Sequence, residues 1–124
     1  MAKKVLIVED NELNMKLFHD LLDAQGYETL QTREGLQALA LAREHRPDLI
    51  LMDIQLPEIS GLEVTKWLKE DADLASIPVV LMSADHGLRD KARKIHASHF
   101  LPKPIQLDAL LEAIARFSPP HERN

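Results

Sequence analysis

Short runs of consecutive apolar residues alternate along the chain with longer amphipathic stretches. Val5-Leu6-Ile7-Val8 is apolar at every position and is stopped by Glu9-Asp10-Asn11. The next stretch has helical spacing, with Leu13, Leu17 and Leu21 on one row, Phe18 and Leu22 on the adjacent row, and Gly26 as its C-terminal cap. Tyr27 to Thr32 alternates like a strand, and Leu36, Leu39, Ala40 and Ala42 mark a second helix that closes before Pro47. Leu49-Ile50-Leu51-Met52 is again continuously apolar and ends at Asp53. Ser60-Gly61-Leu62-Glu63 has the form of a capping box ahead of a helix carrying Leu62, Val64, Trp67 and Leu68. A fourth strand, Pro78 to Met82, ends at Ser83; a basic helix spans Leu88 to Ala97, and His99-Phe100-Leu101 is a short fifth strand. Leu107, Leu110, Leu111, Ile114 and Phe117 form a last amphipathic helix, ended by Pro119 and Pro120. These patterns predict one domain over residues 1–118, a frayed tail over 119–124 and no attached output domain.

A strand–helix unit repeated five times predicts an α/β fold with a doubly wound parallel sheet. Strands that are apolar at every position fit a sheet covered on both faces. The right-handed crossover rule leaves few topologies, and the five-strand order 2-1-3-4-5 is the common one.

In such sheets ligands bind outside the carboxyl ends of the strands. Strand one is followed by Glu9 and Asp10; strand three ends in Asp53, strand four in Ser83, and strand five runs into Lys103. The predicted order makes these four strands neighbours, so three carboxylates, a hydroxyl and an ammonium converge on one edge. Strand two ends in Gln31 and Thr32 and is expected to add no charge there. Crowded carboxylates repel and call for a cation. Oxygen-only ligands suit Mg²⁺, and the lack of His or Cys at the strand ends disfavours zinc or iron. Carboxylates, a hard cation, a hydroxyl and a lysine are the parts phosphoryl transfer uses, and one carboxylate can itself be the nucleophile. Asp53 is the best candidate, because it is central and directly ends an apolar strand. Taken singly, each residue has a plainer role: Glu9 and Asp10 as helix-capping acids, Ser83 as a turn residue, Lys103 as a solvated amine. Their convergence makes coincidence a poor account.

Composition narrows the classes further. Fifteen Lys and Arg against 20 Asp and Glu give a net charge of −5, which argues against direct nucleic-acid binding. The basic residues that do cluster, Arg89, Lys91, Arg93 and Lys94, read as a solvated helix face. The chain has no cysteine, so disulfides, thiol redox sites and Cys nucleophiles are out. No apolar run approaches the ~20 residues of a membrane span, and the expected location is the cytoplasm, without membrane insertion. The six His share no metal-site spacing, and Met15, Met52 and Met82 read as core.

Val5-Leu6-Ile7-Val8-Glu9-Asp10-Asn11, then Leu51-Met52-Asp53-Ile54-Gln55-Leu56-Pro57 with Gly61, then Ser83-Ala84, then Lys103-Pro104 resembles a response-regulator receiver domain. The likeness covers essentially the whole chain. Up to about residue 80 it extends to single-domain regulators of cell division, and beyond that it fades to the generic pattern. The resemblance implies the flavodoxin-like order already reached and a two-component phosphorelay switch. Asp53 would be the phosphoacceptor, fed by a sensor histidine kinase or histidine phosphotransfer protein. Asp10 and Asp53 would ligate Mg²⁺ directly with the Gln55 backbone carbonyl, and Glu9 would act through water or as a weaker ligand. Lys103 would pair with the phosphoryl group. Ser83 would follow it inward and Phe100 would change rotamer with Ser83, switching binding to a downstream signalling protein. The Lys103–Pro104 peptide would be cis. Such a chain catalyses its own phosphorylation and dephosphorylation but is a signalling module rather than a metabolic enzyme.

Three features depart from the family pattern. Ser83 stands where Thr is commoner, Pro102 directly precedes Lys103, and the segment from Ser83 to Lys103 is slightly short. Asp85, two residues past Ser83, is expected either to approach the phosphoryl group or to point to solvent. The alternative reading is a phosphorylation-independent pseudo-receiver, against which the acidic set and Lys103 weigh. An Asp-nucleophile phosphatase would need Asp-x-Asp after strand one, and a flavin carrier a hydroxyl- and Gly-rich loop there; Glu9-Asp10-Asn11 is neither.

Overall fold

The computed structural model describes residues 2–119; the predicted tail beyond Pro119 lies outside them. Strands β1 (Lys4–Val8), β2 (Glu28–Thr32), β3 (Leu49–Asp53), β4 (Val79–Ser83) and β5 (His99–Pro102) form one parallel sheet in the order β2-β1-β3-β4-β5. Between and after them lie α1 (Glu12–Ala24), α2 (Gly35–His45), α3 (Gly61–Glu70), α4 (Arg89–Lys94) and α5 (Leu107–Phe117). The register aligns the carboxyl ends: Val8 faces Met52, Asp53 faces Met82, and Ser83 faces Pro102.

Strand side chains alternate between two buried layers, as the period of two requires. Leu6, Val8, Ile50, Met52, Val79 and Leu81 face one side, against Ala38, Leu39 and Ala42 of α2, Val64 and Leu68 of α3, and Ala92 of α4. Val5, Ile7, Leu49, Leu51, Val80 and Met82 face the other, against Met15, Phe18 and Leu22 of α1 and Leu110 and Ile114 of α5. The central strands are therefore sealed on both faces, which is why they read as continuous apolar runs. Burying each large side chain contributes about 1.5–3 kcal/mol.

The helices select among the predicted positions, and the predicted bounds of the basic one are corrected. In α1 the core row is Met15, Phe18 and Leu22, while Leu13 is 79% exposed and Leu17 43% exposed. Asn11 caps α1, its Oδ1 accepting from the Asn14 N–H at 2.9 Å, and this sets the helix phase. The basic helix does not run from Leu88 to Ala97. His86–Leu88 is a 3₁₀ turn, and α4 ends at Lys94 because His96 takes a left-handed conformation at φ 65°. The Ala97 N–H then donates to the Ala92 carbonyl and the His96 N–H to that of Arg93, a Schellman closure. Arg89, Lys91, Arg93 and Lys94 are all exposed. At α3 the Ser60 Oγ accepts from the Leu62 N–H at 3.1 Å, one residue earlier than a capping box uses.

Candidate functional site

Glu9, Asp53 and Lys103 meet at the carboxyl edge of the sheet. Ending β3 between β1 and β4, Asp53 is central and 3% exposed; Glu9, just past β1, is 1% exposed. Lys103 follows β5, and its backbone N–H donates to the Ser83 carbonyl at 2.9 Å, which fixes where the side chain departs. Its Nζ reaches Asp53 Oδ2 at 2.8 Å and Glu9 Oε1 at 3.5 Å. The Lys103–Pro104 peptide is cis. Asp53 Oδ1 accepts from the Gln55 N–H at 3.0 Å, and the Ile54 N–H donates to the Met82 carbonyl at 2.9 Å, so the strand end and its loop are held together. Glu9 Oε2 accepts from the Asn11 N–H at 3.1 Å. Gly61 lies against this frame: a Cβ there would stand 2.2 Å from the Asp53 carbonyl oxygen.

Burial raises the Glu9 pKa, opposed by the Asn11 N–H; the neighbouring Asp53 raises it further, and Lys103 lowers it. Burial also disfavours the Lys103 ammonium, but bonds and charge attraction from Asp53 and Glu9 outweigh it and raise the pKa overall. One ammonium thus serves two buried carboxylates, an arrangement with negative charge to spare.

The remaining predicted residues are arranged differently. Asp10 does not join Lys103. It is half-exposed and turned to Arg33, whose Nη2 lies 3.8 Å from Asp10 Oδ1 and 3.1 Å from its backbone oxygen. Strand two therefore does bring a charge to this edge, against expectation: the guanidinium sits one residue past Thr32, where no apolar pattern marks it. Ser83 is buried, with its Oγ accepting from the Asp85 N–H at 3.0 Å. Phe100 is buried under the Arg89 guanidinium, 4.9 Å from the ring centroid. Gln55 is exposed at the loop after β3. Asp85 is exposed, and its Oδ1 accepts from the Gly87 N–H at 3.0 Å, capping the 3₁₀ turn. A cleft of about 560 Å³ opens beside Glu9 between α1 and the end of β2, lined by Glu12, Lys16, Thr32 and Arg33; neither Asp53 nor Lys103 lines it.

Among the described residues no three acidic or His side chains are gathered into one metal-holding group, so a cation here would draw on two buried carboxylates and their surroundings. Two buried carboxylates share one ammonium, Asp10 stands at the rim, and the loop after Asp53 supplies backbone polar groups; all the acceptors are oxygens. Among the described residues no helix is long and apolar enough to cross a membrane.

Comparison with known proteins bears directly on this site. The family model of the response regulator receiver domain matches residues 5–115. The polar-differentiation response regulator DivK of Brucella anthropi is 58% identical over 119 residues, covering 94% of this chain and 97% of that protein. DivK of Brucella ovis is 57% identical over the same length. The aligned length, 119 residues, runs well past residue 80. Among solved structures, the chemotaxis response regulator CheY4 of Vibrio cholerae superposes with a TM-score of 0.88 at 25% identity, covering 94% of this chain and 99% of that one. A receiver domain of a Pseudomonas aeruginosa sensor histidine kinase, with magnesium coordinated in its active site cleft, superposes at 0.85 with 27% identity, covering 94% and 98%.

Proposed function

The chain belongs to the response regulator receiver family of two-component signalling, and from that premise we propose that it accepts a phosphoryl group from a phospho-histidine donor onto Asp53. The donor is a sensor histidine kinase or a histidine phosphotransfer protein. The observation that carries the reading is the buried Glu9–Lys103–Asp53 cluster at the strand ends.

In the transfer, an Asp53 carboxylate oxygen forms the new O–P bond, the P–N bond of the donor breaks, and the electron pair leaves with the imidazole nitrogen. Asp10, Asp53 and the Gln55 carbonyl would hold Mg²⁺, with Glu9 acting through water or as a weaker ligand. The cation's contribution when bound is to neutralise charge on the phosphoryl oxygens. Lys103, already beside Asp53 Oδ2, supplies a second positive charge to the same oxygens. The Ser83 hydroxyl is free to exchange its bond from the Asp85 N–H for one donated to the phosphoryl group. Phe100 moves with it, and the altered surface changes affinity for a downstream signalling protein.

Likeness to DivK supports a role in polar differentiation; control of cell division and a cytoplasmic location are part of the same proposal. The test is incubation with Mg²⁺ and acetyl phosphate followed by intact mass. One phosphoryl group is expected on wild type and none on Asp53→Asn; no addition to wild type would leave a phosphorylation-independent binding module.

A further inference from the structure

The acidic residues of the site are divided between two cations. Lys103 holds Glu9 and Asp53 inside, while Arg33, arriving from the end of β2, holds Asp10 at the rim. Arg33 also reaches Glu12 Oε1 at 3.3 Å, so α1 supplies it with a second acceptor. The guanidinium is thereby stretched across the first turn of α1, with one nitrogen on the Asp10 backbone oxygen and the other on Glu12.

We propose that Arg33 is a positioning residue that sets the divalent-cation affinity of the site by competing for Asp10. This deepens the reading of Asp10 and Asp53 as cation ligands and rests on it. A cation that recruits the Asp10 carboxylate must draw it from the guanidinium and tolerate a positive charge close by. Both effects oppose binding, and linkage makes them reciprocal: cation binding releases Arg33 from Asp10. The contact is half-exposed, so the effect is modest, and Glu12 remains to receive the displaced guanidinium. A site tuned this way binds its cation loosely and leaves Arg33 as a rim group whose place reports occupancy.

The competition is measurable by calorimetric titration of the unphosphorylated protein with magnesium chloride alone, with no phosphodonor. Arg33→Gln is expected to tighten Mg²⁺ binding roughly three- to tenfold. Arg33→Lys, which keeps the charge but loses the fork, should fall between the two. Lys16→Gln removes an equal charge from α1, where Lys16 pairs with Asp20 at 2.9 Å, and should change affinity much less. In an Asp10→Asn background the gain from Arg33→Gln should shrink to the small effect of charge alone, since the contested carboxylate is gone. Thermal melts confirm that each variant is folded. If wild type binds Mg²⁺ and Asp10→Asn weakens it, but Arg33→Gln leaves it unchanged or weaker, the competition is wrong while the site stands. If wild type binds no Mg²⁺, or Asp10→Asn binds as wild type does, the cation site itself is misassigned and the inference falls with it.

Discussion

Lys103 Nζ stands 2.8 Å from Asp53 Oδ2, a contact closed across 50 residues of chain. Because Glu9 lies within 3.5 Å of the same ammonium, Lys103 is the counter-ion of two buried carboxylates. Lys103→Ala should therefore lower stability by roughly 1–3 kcal/mol near neutral pH, less than a fully buried pair because Lys103 is partly exposed. Mg²⁺ should raise the melting temperature of the mutant more than that of wild type. The mutant should still accept phosphate from acetyl phosphate yet fail to change its partner affinity, which a binding titration with and without phosphorylation measures.

Gly61 and Gly35 both open helices, but they should respond differently to alanine. The Gly61 methyl would collide with backbone, the Asp53 carbonyl oxygen at 2.2 Å and Ile54 Cα at 2.9 Å, while the Gly35 methyl would meet methyl groups of Ile59 and Val64 at 2.7 Å. Backbone cannot yield without moving Asp53. Gly61→Ala is expected to cost about 3 kcal/mol or more, and Gly35→Ala under about 1.5 kcal/mol, by urea denaturation. Gly61→Ala should also slow phosphorylation.

The Asp85 carboxylate is exposed and already accepts from the Gly87 N–H. Asp85→Ala should cost about 0.5–1 kcal/mol for the lost cap and leave the dephosphorylation rate unchanged. A clear change in that rate, with both proteins fully phosphorylated in Mg²⁺, would put this carboxylate back beside the phosphoryl group.

His99 on β5 packs against Phe117, with ring centroids 6.1 Å apart. Burial lowers its pKa, and Arg116 and Arg89 lower it further against the pull of Glu112. The unfolded chain then takes up the proton first as pH falls through the ordinary value of 6.5. Stability present above that pH is lost on acidification until the folded pKa is passed. His99→Gln should flatten the stability curve below pH 6.5 in denaturation series at matched ionic strength.

The sheet was legible because sealing both faces makes β1, β3 and β4 apolar at every position, and the crossover rule then orders them. The meeting of Glu9, Asp53 and Lys103 was legible from the strand order, which makes the ends of β1, β3 and β5 converge, whereas Ser83 stays beside the Asp85 N–H. The phase of α1 was legible in part: Met15, Phe18 and Leu22 stand out as apolar, but Leu13-Leu17-Leu21 is a helical row too, and nothing in the pattern says that Leu13 and Leu17 stay exposed. The early end of α4 depends on His96 adopting a conformation that glycine or asparagine would have announced. Arg33 was missed because reading each strand only to its last apolar-pattern residue stops one position short of it.

Pro102 has a consequence for self-association. Its ring nitrogen carries no hydrogen, so this position of β5 donates nothing to a backbone ladder on either side. β5 is also only four residues long, which leaves an incoming strand little to pair with. The opposite border, β2, presents exposed Glu28 and Gln31 along a strand with one buried position. A sixth strand therefore finds a poor template at either side, and ladder-to-ladder polymerisation is discouraged even at high local concentration. Assembly is therefore expected to use the helices and loops.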